Sequence, residues 1–235
     1  MKILNININD FGGPENHRED FKNKLGNGKY IQEWDKLDKK ETINSFISKI
    51  DEYKPDIIII QEYDINSTEC QYIFVPLMRK KGYILKSVPP TKRASMTVFF
   101  VKNGLGDKEI STDHLRNGRA YAIQVNDLVI YGTHVPPSGY VESFWKEINN
   151  FVQKFKNNKL LLIGDFNTVN FKNNKALDNL LENPIHKIHK IWSHEGCNTP
   201  GDYVLANFDI NQDGIDYFPT KAITDHEFGV VITTD

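Results

Sequence analysis

From Lys2 to Ile8 the chain reads KILNINI, apolar and polar positions alternating with the period of a half-buried strand. Further on, Ile43, Phe46, Ile47 and Ile50 fall at i, i+3, i+4 and i+7, which is one face of a helix. Pro55 ends that helix. The segment PDIIIIQE then supplies a β-branched run too short for anything but a strand buried on both faces. The chain therefore opens β-α-β.

A second helical stretch covers 69–81, and strands are expected over 83–88, 96–101, 120–125 and 128–134. Turn signals at Lys102-Asn103-Gly104, Asn117-Gly118 and Asn126-Asp127 separate these strands and suggest antiparallel pairing. Ser138 is placed to cap a helix whose apolar face is Phe144, Ile148, Phe151, Val152 and Phe155, with a strand over 159–164 directly after it. Strands over 202–206 and 228–232 close the chain. Helices interleaved with this many strands predict an α/β protein of two packed sheets covered by helices on the outside.

Composition narrows this picture. The 235 residues are 39% hydrophobic and 26% charged, and the 15 Gly and 10 Pro show no repeat, which excludes disorder, collagen and coiled coil. No linker-like shift divides the chain, so one domain over residues 1–235 is expected. Apolar runs such as IIII at 57–60 and LLLI at 160–163 fall far short of the roughly 18 residues that cross a bilayer. The opening MKILNININD lacks the continuous apolar stretch of an export signal. Cys70 and Cys197 are too few for a disulfide framework and lack metal-ligand spacing, so reduced thiols in a cytoplasmic protein are expected, with a single bridge left open. With a net charge of -2, any nucleic-acid contact must be local. Arg79, Lys80, Lys81, Lys86, Lys92 and Arg93 form the one basic stretch; it reads as a solvated helix end and loop, or as the source of phosphate contacts.

Candidate chemistry gathers where apolar strands end. Asn7 in ILNININD, Glu62 in PDIIIIQE, His134 in VIYGTHVP, Asp165 and Asn167 in LLLIGDFNT, and Asp225 with His226 in ITDHEFGVV each stand at an end of an expected strand. A carboxylate at such a position needs a metal or hydrogen-bond partners to offset its desolvation. Mg²⁺ prefers oxygen ligands and needs only one or two carboxylates, a requirement that Glu62 with Asn7 meets.

Together with GDYVLAN and its Asp202, these pieces resemble the endonuclease/exonuclease/phosphatase superfamily, deoxyribonuclease I among its members, in the family's order over nearly the whole chain. The resemblance implies a four-layer αββα sandwich with two packed mixed β-sheets, a divalent metal, usually Mg²⁺ with Mn²⁺ as a substitute, and phosphoester hydrolysis. By the same resemblance Asp165 orients and deprotonates the attacking water, and Asn167 holds a phosphate oxygen. His226 donates to the phosphate with Asp202 fixing its tautomer, and His134 is a second donor on the leaving oxygen. Glu62, Asn7 and Asp225 would surround the metal.

The remaining histidines, His17, His114, His186, His189 and His194, match no family piece and read as surface or structural. Residues 209–216, DINQDGID, imitate the start of an EF-hand calcium loop, but the twelfth position is Thr220 in place of the bidentate Glu, so a tight inter-strand turn is expected. GTHVPP in place of a Tyr-x-Pro-Asn-type segment points away from the exonuclease III-like branch. The resemblance thus favours a monomeric nuclease acting on DNA or RNA. A phosphatase or phosphodiesterase for a phospholipid or small phosphorylated molecule is the alternative, and a catalytically silent binding module is a third reading.

Overall fold

A computed structural model of the chain describes residues 1–13, 37–87, 96–110, 118–139, 141–168, 171–181, 187–191 and 201–234. The expected β-α-β opening is there. β1 (Lys2–Asn7) runs parallel to β2 (Ile57–Tyr63), and α1 (Lys40–Tyr53) lies on the connection between them. A π-helical turn, Cys70–Phe74, leads into α2 (Val75–Lys80), then β3 (Tyr83–Lys86) and β4 (Met96–Lys102). The second half repeats the plan: β5 (Lys108–Ile110), β6 (Ala120–Val125) and β7 (Leu128–His134) precede α3 (Val141–Phe155), which returns the chain to β8 (Lys159–Asp165), parallel to β7. After α4 (Phe171–Leu181) come β9 (Lys187–Ile191), β10 (Asp202–Ala206), β11 (Ile215–Pro219) and β12 (Phe228–Thr233).

Two six-stranded sheets result, in the orders β11-β12-β1-β2-β4-β3 and β5-β6-β7-β8-β10-β9. Each is mixed, with one parallel pair at its centre, because only a helical crossover can join neighbouring parallel strands. Alternation along the strands sorts side chains into three cores. On β2, Ile58 and Ile60 join Ile43, Phe46 and Ile50 of α1 in one core, while Ile57 and Ile59 face the other sheet. On β8, Leu160 and Leu162 pack beneath Phe144, Ile148 and Val152 of α3, and Leu161 and Ile163 point inward to meet them. The layers are therefore helix, sheet, sheet, helix: the four-layer αββα sandwich. The sheets approach closely enough at Gly132 that an added Cβ would lie 2.7 Å from both Ile59 and Phe99 of the facing sheet.

Four elements went unread in the sequence. α4 is mostly polar, although Leu177, Leu180 and Leu181 carry the helical spacing. β5 has only three residues, β9 is a short edge strand, and β11 ends in Pro219, which only an edge strand tolerates. The DINQDGID segment forms a 3-10 turn at Gln212–Gly214, but it carries the chain from β10 of one sheet to β11 of the other and so joins no hairpin. Cys70 is a buried free thiol, pushed up to about 12 by burial, while Cys197 lies outside the described residues. Among the described residues no helix is long and apolar enough to cross a membrane.

Candidate active site

In the second sheet the register sets three polar residues in one row, with His134 on β7 opposite Asp165 on β8 and Asp165 opposite Asp202 on β10. Counting in twos from Ile130, Ile163 and Val204, which all belong to the inter-sheet core, puts the three side chains on the inter-sheet face at its mouth. Gly164 permits this closeness. Its φ of +142° suits glycine, and a Cβ there would sit 1.9 Å from the Thr133 carbonyl oxygen. Gly164→Ala should therefore destabilise the protein by about 2 kcal/mol or more, read from urea midpoints, and an unchanged midpoint would contradict this account of the glycine.

From the first sheet come Asn7 and Glu62. Strict alternation after Ile60 would turn Gln61 to the inter-sheet face and Glu62 towards the helices. A register shift between Ile60 and Tyr63, with Glu62 at φ +52°, breaks that alternation. Tyr63 then reaches the helix-covered core, and Glu62 remains at the mouth beside Asn7.

Asn7 ties the sheets together. Its Nδ2 donates to Glu62 Oε1 and to Asp165 Oδ2, both at 3.2 Å, while its Oδ1 accepts from the Asn9 amide at 3.0 Å. In this arrangement the amide nitrogen faces the carboxylates, so Asn7 bridges them. His134 Nε2 lies 3.7 Å from Glu62 Oε1 and 3.7 Å from Asp165 Oδ2. Glu62, Asp165 and His226 offer ligand atoms within 4.8 Å of one another. Asp225 is outside that trio, and its Oδ1 accepts from Thr224 Oγ1 at 3.0 Å.

His226 is held on three sides. Nδ1 is 2.9 Å from Asp202 Oδ2, its amide donates to Thr224 Oγ1 at 3.4 Å, and its carbonyl accepts from the hydroxyl of Thr220, the residue at the failed EF-hand position. Burial alone would lower the imidazole's pKa. Asp202 overrides that by charge and hydrogen bond, with Asp165 and Asp225 adding, and lifts it to about 10. The Asp202 contact thus favours the imidazolium, which donates from both nitrogens.

The Asp165 carboxyl is pushed up to about 7, first by burial and then by Asp202 and Glu62, against the pull of His226 and the Asn167 amide. Two carboxylates held this close in a buried mouth are what a hard divalent cation would balance, and the oxygen donors of Glu62 and Asp165 suit one. Asn167 sits at φ +49° just past β8; its amide donates to Asp165 Oδ1 at 2.8 Å and its Nδ2 to Val135 O at 2.7 Å.

Asn173 on α4 escaped the sequence reading together with its helix. Fully buried, it donates to the carbonyls of Pro136 and Asn167 and accepts from Trp145 Nε1 at 2.9 Å, which joins the loops after β7 and β8. The buried ion pair Asp10–Lys39 beside Asn7 also went unread, since nothing in KLDKK marks one lysine as internal.

Arg79, Lys80 and Lys81 are not at this mouth. Arg79 and Lys80 lie in the last turn of α2 and Lys81 follows it, pairing with Asp51 in the last turns of α1, at the end of the first sheet where β2 begins. Lys86 pairs with Asp107 at 3.1 Å, and Lys92 and Arg93 lie outside the described residues. His17, His114, His186 and His194 lie outside them too, and His189 falls on β9.

No family model and no curated protein matches the sequence. Among solved structures, the chain is similar to a 3′ phosphatase from Neisseria bound to a product DNA hairpin, with a TM-score of 0.64 and 12% identity over 100% of this chain and 99% of that one. An endonuclease/exonuclease/phosphatase family protein from Leptotrichia buccalis gives a TM-score of 0.64 and 16% identity, covering 100% of this chain and 99% of that chain. An AP endonuclease from Archaeoglobus fulgidus gives 0.62 and 13%, again over 100% and 99%. Paired mixed sheets, outer helices and end-to-end similarity agree: this chain has the fold of the endonuclease/exonuclease/phosphatase family.

Proposed function

We propose that residues 1–235 form one catalytic domain, a divalent-metal-dependent phosphodiesterase that acts as a monomeric, cytoplasmic nuclease on DNA or RNA. The observation that carries this reading is the meeting of two kinds of group at one mouth: Glu62 and Asp165 sharing Asn7 Nδ2, beside His226 fixed at Nδ1 by Asp202. Glu62 would be the principal ligand for Mg²⁺, or Mn²⁺ in its place, with Asp225 as a further oxygen donor; Asn7, expected from the resemblance as a third ligand, turns its Nδ2 to the carboxylates while its Oδ1 accepts from the Asn9 amide, and so holds them at their spacing instead. When bound, the ion supplies Lewis-acid neutralisation of the phosphate.

The chain's own residues do the rest. Asp165, raised to about 7, is a base of suitable strength for the proton of the attacking water. As the bond from that water's oxygen to phosphorus forms, the bond to the leaving oxygen breaks. His226 donates from Nε2 to a non-bridging phosphate oxygen, and Asp202 keeps the ring charged and aligned. One hydrogen of the Asn167 amide is on Val135 O, and the other is available to a phosphate oxygen. His134 protonates the leaving oxygen.

Neighbours in fold that include a DNA-bound phosphatase and an AP endonuclease support the nucleic-acid substrate. A second reading, hydrolysis of a phospholipid headgroup or small phosphorylated molecule, is favoured by the net charge of -2 and by Arg79, Lys80 and Lys81 sitting away from the mouth. A panel of single-stranded DNA, duplex DNA, RNA and phospholipid substrates with Mg²⁺ separates the two. A nuclease should cleave nucleic acid with an affinity that falls as salt rises, by about 0.7 to 0.9 log units per log unit of salt for each phosphate contact. Salt-insensitive cleavage of the lipid alone would favour the second reading. Inactivity on every substrate with Mg²⁺ and Mn²⁺ would leave a binding module.

A further inference from the structure

The proposed chemistry leaves Asp10 and Lys39 unused. Lys39 Nζ lies 2.8 Å from Asp10 Oδ2, and both side chains are 0% exposed. A buried ion pair stabilises a fold poorly, since desolvating both charges offsets their attraction, so its use lies elsewhere, in fixing one arrangement of the chain around it.

The arrangement in question begins two residues after Asn7. Asn9, Asp10 and Phe11 have φ of +44°, +48° and +57°, three successive left-handed residues with no glycine among them. L-residues disfavour that conformation, so something outside the turn has to hold it. Phe11 is one anchor, packed on Phe46, Tyr63 and Phe74. The other is the Asp10 carboxylate on Lys39. Lys39 is itself fixed, because its carbonyl accepts from the Ile43 amide at 2.9 Å in the first turn of α1. The turn in its turn holds Asn7. Its first amide, Asn9 N, occupies Asn7 Oδ1, which leaves Asn7 Nδ2 facing Glu62 and Asp165.

We propose that Asp10 and Lys39 are a positioning pair: they tie the left-handed turn to the start of α1 and so hold the Asn7 amide in the one orientation that spaces Glu62 and Asp165 for a divalent cation. The cation part rests on the metal-dependent reading above; the orientation of Asn7 does not.

The test compares the unmutated protein with Lys39→Met, with Asp10→Asn, which tolerates the left-handed backbone, and with the double variant. In the metal-free proteins, nuclear magnetic resonance follows the side-chain NH₂ signals of Asn7, assigned by their loss in Asn7→Ser. Calorimetry with Mn²⁺ alone gives metal affinity. Each single variant should shift or merge the Asn7 signals and weaken Mn²⁺ binding by about tenfold or more. The double variant should lose about as much as one single variant, because the two residues act as one unit.

Unchanged Asn7 signals with Mn²⁺ affinity within about twofold, in a folded Lys39→Met or double variant, would overturn the proposal. Losses that multiply in the double variant would overturn it as well. If Lys39→Met fails to fold, Asp10→Asn, which preserves side-chain shape, decides by the same two measurements. Absence of Mn²⁺ binding in the unmutated protein would overturn the metal-dependent reading and the cation part of this one, and the Asn7 signals would then decide the positioning role alone.

Discussion

Asp165→Asn should lower turnover by at least about 10²-fold on whichever phosphoester proves to be the substrate, with substrate binding much less affected. The amide keeps the shape and its single oxygen can still accept from either the Asn167 amide or Asn7, which in the carboxylate bond different oxygens, but it cannot take the proton of an attacking water. The same substitution should make the metal-free protein more stable above neutral pH. In the fold the Asp165 carboxyl titrates at about 7 against an ordinary 3.8. Its protonated form is therefore the one the fold favours, and ionising it costs stability progressively as pH rises from about 4 through about 7. Asparagine removes that cost. Melting temperatures of variant and parent should agree near pH 4 and separate in the variant's favour by pH 8. Near-normal turnover would remove Asp165 from the role of base, and parallel melting curves at all pH values would contradict its raised pKa.

Glu62→Gln should reduce activity and move the metal concentration for half-maximal activity upward by about tenfold or more, because a hard cation bound through few protein ligands depends on each charge. Folding should change little. Glu62 lies at the mouth, where the register shift and a φ of +52° are held by Tyr63 packing into the core, and glutamine keeps an oxygen for the Asn7 bond. Undiminished activity of the unmutated protein in EDTA would sink the metal-dependent mechanism, whatever the variant does.

The mouth is built from strand ends of both sheets, held by main-chain registers and by Asn7, whereas Lys81 pairs with Asp51 at the end of the first sheet where β2 begins. Substitutions at Arg79, Lys80 and Lys81 should therefore leave the chemical step alone.

Most of the strands were legible because their alternation or unbroken apolar runs reflect burial on one face or two. Segments 120–125 and 128–134 match β6 and β7, and PDIIIIQE is buried on both sides of β2. What failed was short or weakly patterned: β5, β9 and β11 span three to five residues, α4 carries its helical spacing only in Leu177, Leu180 and Leu181, and packing against the rest of the protein makes them. For the site, sequence placed Asn7, Glu62, His134, Asp165, Asn167, Asp202, Asp225 and His226 at strand ends and in a family order, since a strand long enough to be recognised has an end that can be counted. Tertiary structure alone decided which of those ends meet. The bulge that turns Glu62 inward, the Asn7 bridge between sheets, Asp202 on His226 Nδ1 and the buried Asp10–Lys39 pair join residues distant along the chain. No local pattern encodes such contacts, because each depends on where two separately formed sheets come to rest against one another.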